Sequence, residues 1–86
     1  MSVSNETIAK SVASRILTED VLTLAEARTA LFQSTKRRPD KATMTRWIHK
    51  GVGGVRLEAV RMGCQLLTSR QALTRFIEAR TAKSIG

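Results

Sequence analysis

The chain has one cysteine, one histidine, no tyrosine and three aromatic residues in a length of 86. With Cys64 as the lone cysteine, an internal disulfide and a cysteine-rich zinc site are both excluded, and Cys64 is read as a small hairpin residue rather than a redox centre. His49 stands without a cysteine pair or grouped carboxylates nearby, so no metal site is expected. There is no glycine-rich phosphate loop of the Walker type and no carboxylate pair at helical spacing in a plausible pocket; Glu19-Asp20 is an exposed pair ahead of a helix start. Gly51, Gly53 and Gly54 follow a helical pattern, the wrong setting for a dinucleotide fingerprint, which opens after a strand. The chain is accordingly read as a non-enzyme without cofactor. No apolar run approaches the roughly 20 residues needed to cross a bilayer. The start lacks the basic-then-apolar order of a secretory signal, and a cytoplasmic protein is expected.

Acidic residues are scarce as well, 7 against 15 lysines and arginines, for a net charge of +8. The imbalance is local. Twelve of the fifteen basic residues follow Ser34 and are opposed there only by Asp40, Glu58 and Glu78. Such a block attracts polyanions, although charge by itself selects a class of partner and not a function. An anionic membrane surface is the weaker choice, because no segment joins a broad Leu, Phe and Trp face to a dense Lys face. A chain of this length supports one small domain that buries roughly 60 to 65% of its unfolded surface.

Hydrophobic spacing supplies the elements. Ile8, Val12, Ile16 and Leu17 recur at about helical period and predict an amphipathic helix from about Glu6 to Leu17 within an N-terminal arm, residues 1–20, that packs on the domain, frays or contacts a second copy. Thr23-Leu24-Ala25-Glu26 fits a capping box with Leu22 as staple, so a helix starts there, buries Leu24, Ala27 and Leu31, and ends near Phe32 to Ser34. Thr35 to Pro39 is a basic loop, since Pro39 disfavours helix at Arg38. Asp40 caps the next helix, with Met44, Trp47 and Ile48 on its apolar face, and Gly51 stops it. Val55, Leu57 and Ala59 then alternate with Arg56, Glu58 and Val60 toward a turn at Met62-Gly63, a hairpin pattern that returns through Cys64 to Thr68. Thr68-Ser69-Arg70-Gln71 repeats the capping-box logic before a last helix with the stripe Leu73, Phe76 and Ile77, running to about Ala79 or Arg80. Residues 81–86 are expected to form a flexible tail. The three aromatics Phe32, Trp47 and Phe76 are all expected inward, which leaves no stacking platform for single-stranded RNA.

A recognition helix for the major groove is short, anchored by one apolar face and polar or basic on the other. Residues 41–50 meet those conditions, with Thr43, Thr45, Arg46, His49 and Lys50 as candidates to reach bases or phosphates. The hairpin offers Arg56 and Arg61, Arg61 next to the turn being the preferred contact. The loop offers Lys36, Arg37 and Arg38, with Lys41 after it, as phosphate clamps. The plain alternatives are a solvated basic helix face, charges that keep a strand edge soluble, and a solvated charge run.

The order LTLAEA, basic loop, TMTRWIHKG, VRLEAVRMG and TSRQALTRFIEA resembles the excisionase-like members of the MerR-type winged helix-turn-helix superfamily, above all small stand-alone proteins of planctomycete type. The resemblance covers residues 21–80 and is carried by Leu22, Thr23, Glu26 and Ala27, then Arg46, Trp47, Ile48 and Gly51, then Gly63, and last Ser69, Ala72 and Leu73. It implies a mainly α winged helix-turn-helix with a β-hairpin wing. Its second helix would enter the major groove of double-stranded DNA, the wing would touch backbone or minor groove, and the first helix would support both. The stretch Gln33 to Lys41 departs from the tight turn of many relatives and leaves the angle between the first two helices open. The ligand-sensing regulators of that superfamily carry a long dimerisation helix and an effector domain, neither of which is expected here. An excisionase-like recombination directionality factor or a small transcription regulator is expected instead, nucleoid-associated, binding DNA with self-association or cooperative neighbours, with a recombinase as a further partner. The alternative is an interaction adaptor of the same fold that presents its basic face to an acidic protein.

Overall fold

The computed structural model describes the backbone of residues 5–85 and the side chains of residues 11–84. Over these residues the elements are α1 (Asn5–Leu17), β1 (Val21–Thr23), α2 (Leu24–Thr35), α3 (Lys41–His49), β2 (Val60–Met62), β3 (Gln65–Ser69) and α4 (Arg70–Ile85). The class is mainly helical with one antiparallel sheet in the order β1-β3-β2. No helix among the described residues is long and apolar enough to cross a membrane.

Local chemistry sets the helix starts. Thr23 Oγ1 accepts from the Glu26 N–H at 3.1 Å while Glu26 Oε1 accepts from the Thr23 N–H at 2.9 Å, so the capping box is complete at the start of α2. Asp40 Oδ1 accepts from the Thr43 N–H at 2.8 Å and caps α3. At α4 the cap is Ser69 rather than Thr68. Ser69 Oγ accepts from the Ala72 N–H at 2.9 Å and donates to Glu19 Oε1 at 2.7 Å, which satisfies a hydroxyl with no exposure to solvent. Thr68, also fully buried, donates to the Glu58 carbonyl, and the Gln71 amide turns to Asp20 instead of closing a capping box.

The core joins Ile16 of α1, Leu24, Ala27 and Leu31 of α2, and Met44 of α3 to Leu57, Ala72, Leu73 and Phe76. Ile16 is wholly buried and Val12 packs beside it, so the C-terminal half of α1 is part of the packed core; Ile8 lies outside the described side chains. Burying one such aliphatic side chain contributes about 2 kcal/mol, enough to hold a short helix in place. Two aromatic and aliphatic placements differ from the expectation. Phe32 is 48% exposed and Ile77 40%, because each follows a buried residue, Leu31 and Phe76, and one helical step of about 100° carries it off the core face.

Three further differences concern the backbone. β1 pairs with β3 through Val21↔Ser69, Leu22↔Thr68 and Thr23↔Leu67, so Leu22 is a strand residue as well as the residue before a cap. The first hairpin strand is confined to Val60–Met62. Val52 and Val55 instead close a tight turn over Gly53 and Gly54, both at positive φ, and the chain then crosses the core, where the Leu57 N–H donates to the Trp47 carbonyl at 3.0 Å. The alternation at 55–59 therefore records one buried residue, Leu57, on a crossing segment, not a strand. Finally, α4 continues past Arg80 to Ile85: nothing between them breaks a helix, Thr81 Oγ1 donates to the Ile77 carbonyl, and Lys83 Nζ reaches the Gly53 carbonyl.

An ion cluster ties these pieces together. Arg75 of α4 bonds Glu19 Oε2 through Nη1 and Glu58 Oε1 through Nη2, each at 2.6 Å, and Arg15 of α1 bonds the other Glu58 oxygen at 2.7 Å. The Arg75 hydrogen bonds hold the Glu19 carboxyl below its usual range, against partial desolvation, with Ser69 adding to the effect.

A depressed carboxylate contributes stability that is present above its unfolded value and lost as pH falls through the folded one. The urea midpoint is therefore expected to fall as the pH drops below the ordinary glutamate value of 4.5, and Arg75→Met should flatten that acid limb relative to the natural chain. The glycines give a second expectation. A Cβ on Gly51, at φ 76°, would sit 2.3 Å from the Val55 carbonyl oxygen, whereas Gly63, at φ 62°, faces open space. Gly51→Ala should cost at least about 2 kcal/mol and Gly63→Ala about 1 kcal/mol in urea denaturation; equal costs would mean that the crossing segment yields to the new methyl.

Candidate nucleic-acid interface

α3 is held by its ends and by one side. Met44 has no exposure, Trp47 and Ile48 are half-buried against the core, and Asp40 satisfies the first turn. The Thr43 side chain and N–H bonds to Asp40 keep that carboxyl below its usual range, so the cap is ionised well into acid. What remains outward on α3, apart from Ala42, is basic: Arg46 and His49 are exposed, with Lys41 exposed at its start and the capping Lys50 after its end. Thr43 and Thr45 are half-buried; Thr45 Oγ1 donates back to the Lys41 carbonyl at 2.9 Å.

The β2–β3 hairpin packs on α1, α2 and α4, and its turn end faces α3 across an open groove. Its register is Val60↔Leu67, Arg61↔Leu66 and Met62↔Gln65, with Gly63 supplying the positive φ of the two-residue turn. Residues opposite each other in antiparallel strands share a face, so Arg61 projects on the Leu66 side. Leu66, Gln65 and Cys64 line an open groove of about 310 Å³ together with Lys41 and Thr45 of α3 and Arg28 of α2. Arg61 itself does not line that groove; it is exposed on β2, the strand that packs beside α1. Arg56 lies against the Gly51 turn at the end of α3 and lines a different depression with Arg15, Arg75 and Ala79.

The loop between α2 and α3 is organised by its backbone. Lys36 ends α2 in a left-handed conformation, φ 63°, with its N–H on the Phe32 carbonyl at 2.8 Å. This is the one described non-glycine residue at positive φ, a position where glycine is the unstrained choice. Arg28 Nε donates to the Pro39 carbonyl at 2.7 Å and clips the loop to α2, which sets the approach of α3. Lys36, Arg37 and Arg38 are all exposed.

Sequence reasoning missed two basic residues of consequence. Arg28 carried no signal, because its partner is a backbone carbonyl across the loop. Arg80 carried one: it follows Phe76 by four, the spacing that stacks side chains on one helix face. Its guanidinium lies 5.5 Å from the Phe76 ring centroid and 5.9 Å from that of Trp47. Among the described residues no group of three or more His, Cys, Asp or Glu is placed to hold a metal ion.

Residues 27–81 match the model of a family described as Protein of unknown function (DUF1580). The chain belongs to the DUF1580 family. The match takes in most of α2, all of α3, the crossing segment, the hairpin and most of α4, and leaves out α1 and β1. The basic face of α3, the loop and Arg61 are thus within the DUF1580 region. No curated protein and no solved structure matches the DUF1580 chain.

The left-handed Lys36 generates a test. Lys36→Gly should raise the unfolding free energy read from urea denaturation by about 1 kcal/mol through relief of backbone strain, while weakening retention on a polyanion column; a variant no more stable than the natural chain would mean that Lys36 is unstrained.

Proposed function

We propose that the DUF1580 chain is a winged helix-turn-helix that binds double-stranded DNA and catalyses no reaction. In this reading α2 and α3 are the helix-turn-helix, α3 enters the major groove, and the β2–β3 hairpin is the wing. The observation that carries it is the pairing of α3, apolar at Met44 and basic at Arg46 and Lys50, with a hairpin whose Arg61 shares a sheet face with the Leu66 that lines the α3 groove. A helix of this length presents one or two turns to base edges, and a basic hairpin beside it meets the adjoining backbone or minor groove.

Roles divide by chemistry. Arg46 and Lys50, four apart on the exposed face of α3, reach bases or the phosphates at the groove edge, with Thr43, Thr45 and His49 flanking them. Lys36, Arg37, Arg38 and Lys41 supply backbone charge, and Arg61 anchors the wing. Arg56 lies against the Gly51 turn at the end of α3 and adds charge there. A module this small reads few base pairs, so specificity comes from a second copy or from neighbours on the DNA, as suits an excisionase-like directionality factor or a small transcription regulator at the nucleoid.

Anisotropy of a labelled duplex titrated at several salt concentrations tests the reading. A slope corresponding to roughly four or more phosphates, at about −0.9 for each, is expected. Arg46→Ala and Lys50→Ala should each weaken binding and reduce the slope by about 1, and Arg61→Ala should weaken it equally for every sequence. No binding at low salt would overturn the proposal.

A further inference from the structure

The chain's arginines fall into two groups. Arg15 and Arg75 are paired with carboxylates, and Arg28 with a backbone carbonyl. Arg37, Arg38 and Arg80 have no carboxylate or carbonyl partner among the described residues, and all three border one open groove of about 520 Å³. The walls of that groove are apolar: Leu31 at the end of α2, Pro39 of the loop, Trp47 of α3 and Ile77 of α4. No acidic side chain lines it. Arg80 lies over the Trp47 and Phe76 rings, a contact that holds the guanidinium at the groove wall.

We propose that this groove docks an acidic protein segment that seats a large apolar side chain against Leu31, Trp47 and Ile77 and places carboxylates on Arg37, Arg38 and Arg80. The chemistry favours protein over nucleic acid. A phosphate backbone would satisfy the three guanidinium groups but has nothing to fill an apolar trough that includes an isoleucine 40% exposed. An unpaired base needs an open aromatic face, and here Arg80 lies over the Trp47 ring. The volume falls in the range of ligand sites, roughly 300 to 1,000 Å³, and the planar guanidinium fork matches a carboxylate in two-point contact. The assignment stands independently of DNA binding, although Arg37 and Arg38 serve both surfaces.

Selection of a displayed library of random peptides on the full chain tests it, with affinities of the enriched peptides read by fluorescence of Trp47, the sole tryptophan in a chain without tyrosine. Enriched peptides are expected to carry Asp or Glu around a Leu, Ile, Phe or Met. Their affinity is expected to fall about tenfold or more in Ile77→Ser, an exposed position, and in Arg37→Ala/Arg38→Ala, a loop change, each with unaltered circular dichroism. The proposal is overturned if nothing is enriched, or if the enriched peptides bind both variants as tightly as the natural chain. It is equally overturned if polyglutamate binds as well as they do and a duplex oligonucleotide displaces it regardless of Ile77, since the groove would then be a generic polyanion surface.

Discussion

Met44 is the single fully buried side chain of α3, and the placement of the basic face depends on that burial. A helix of nine residues does not hold itself together in water. It persists because Met44 is fixed among α1, α2 and α4 residues, because Asp40 satisfies its first turn, and because the Trp47 carbonyl is taken by the Leu57 N–H of the segment that follows. The crossing segment thus has two tasks. Leu57 closes the core beside Phe76, and its backbone ties off the end of α3 at the point where Gly51 reverses the chain.

The charges are organised by the same division between inside and outside. Acidic residues are few, and Glu19 and Glu58 are both engaged by Arg75, with Arg15 sharing Glu58. This leaves the loop, the outer face of α3 and the hairpin with basic side chains that form no ion pair among the described residues. The proposed DNA face and the proposed peptide groove share a boundary at Arg37 and Arg38. If both are occupied in turn, the two partners compete for those guanidinium groups, and binding of one weakens the other by simple linkage.

Much of the local structure was legible because it depends on residues within four positions of one another. Thr23 with Glu26, Asp40 with Thr43, and Gly51 after His49 each settle a helix end through a side chain or a backbone angle close in sequence. The stripes Leu24, Ala27 and Leu31, and Met44, Trp47 and Ile48, were readable for the same reason. The candidate site was legible as a set of residue types; its arrangement was not. Arg56 and Arg61 look alike on an alternating segment, yet only Arg61 lies on a strand, while Arg56 sits against the Gly51 turn at the end of α3, because Leu57 draws the chain between them through the core.

The sequence by itself determined where the helices lie, the caps of α2 and α3, the hairpin turn and the concentration of positive charge after Ser34, all consequences of short-range geometry and composition. Tertiary structure alone decided that Val21–Thr23 joins β3 across more than forty residues, that Thr68 and Ser69 bury their hydroxyls while Phe32 and Ile77 stay exposed, and that Arg80 lies over Trp47. Those outcomes depend on which distant surfaces meet, and burial is awarded by the whole packing arrangement rather than by the hydrophobicity of one residue.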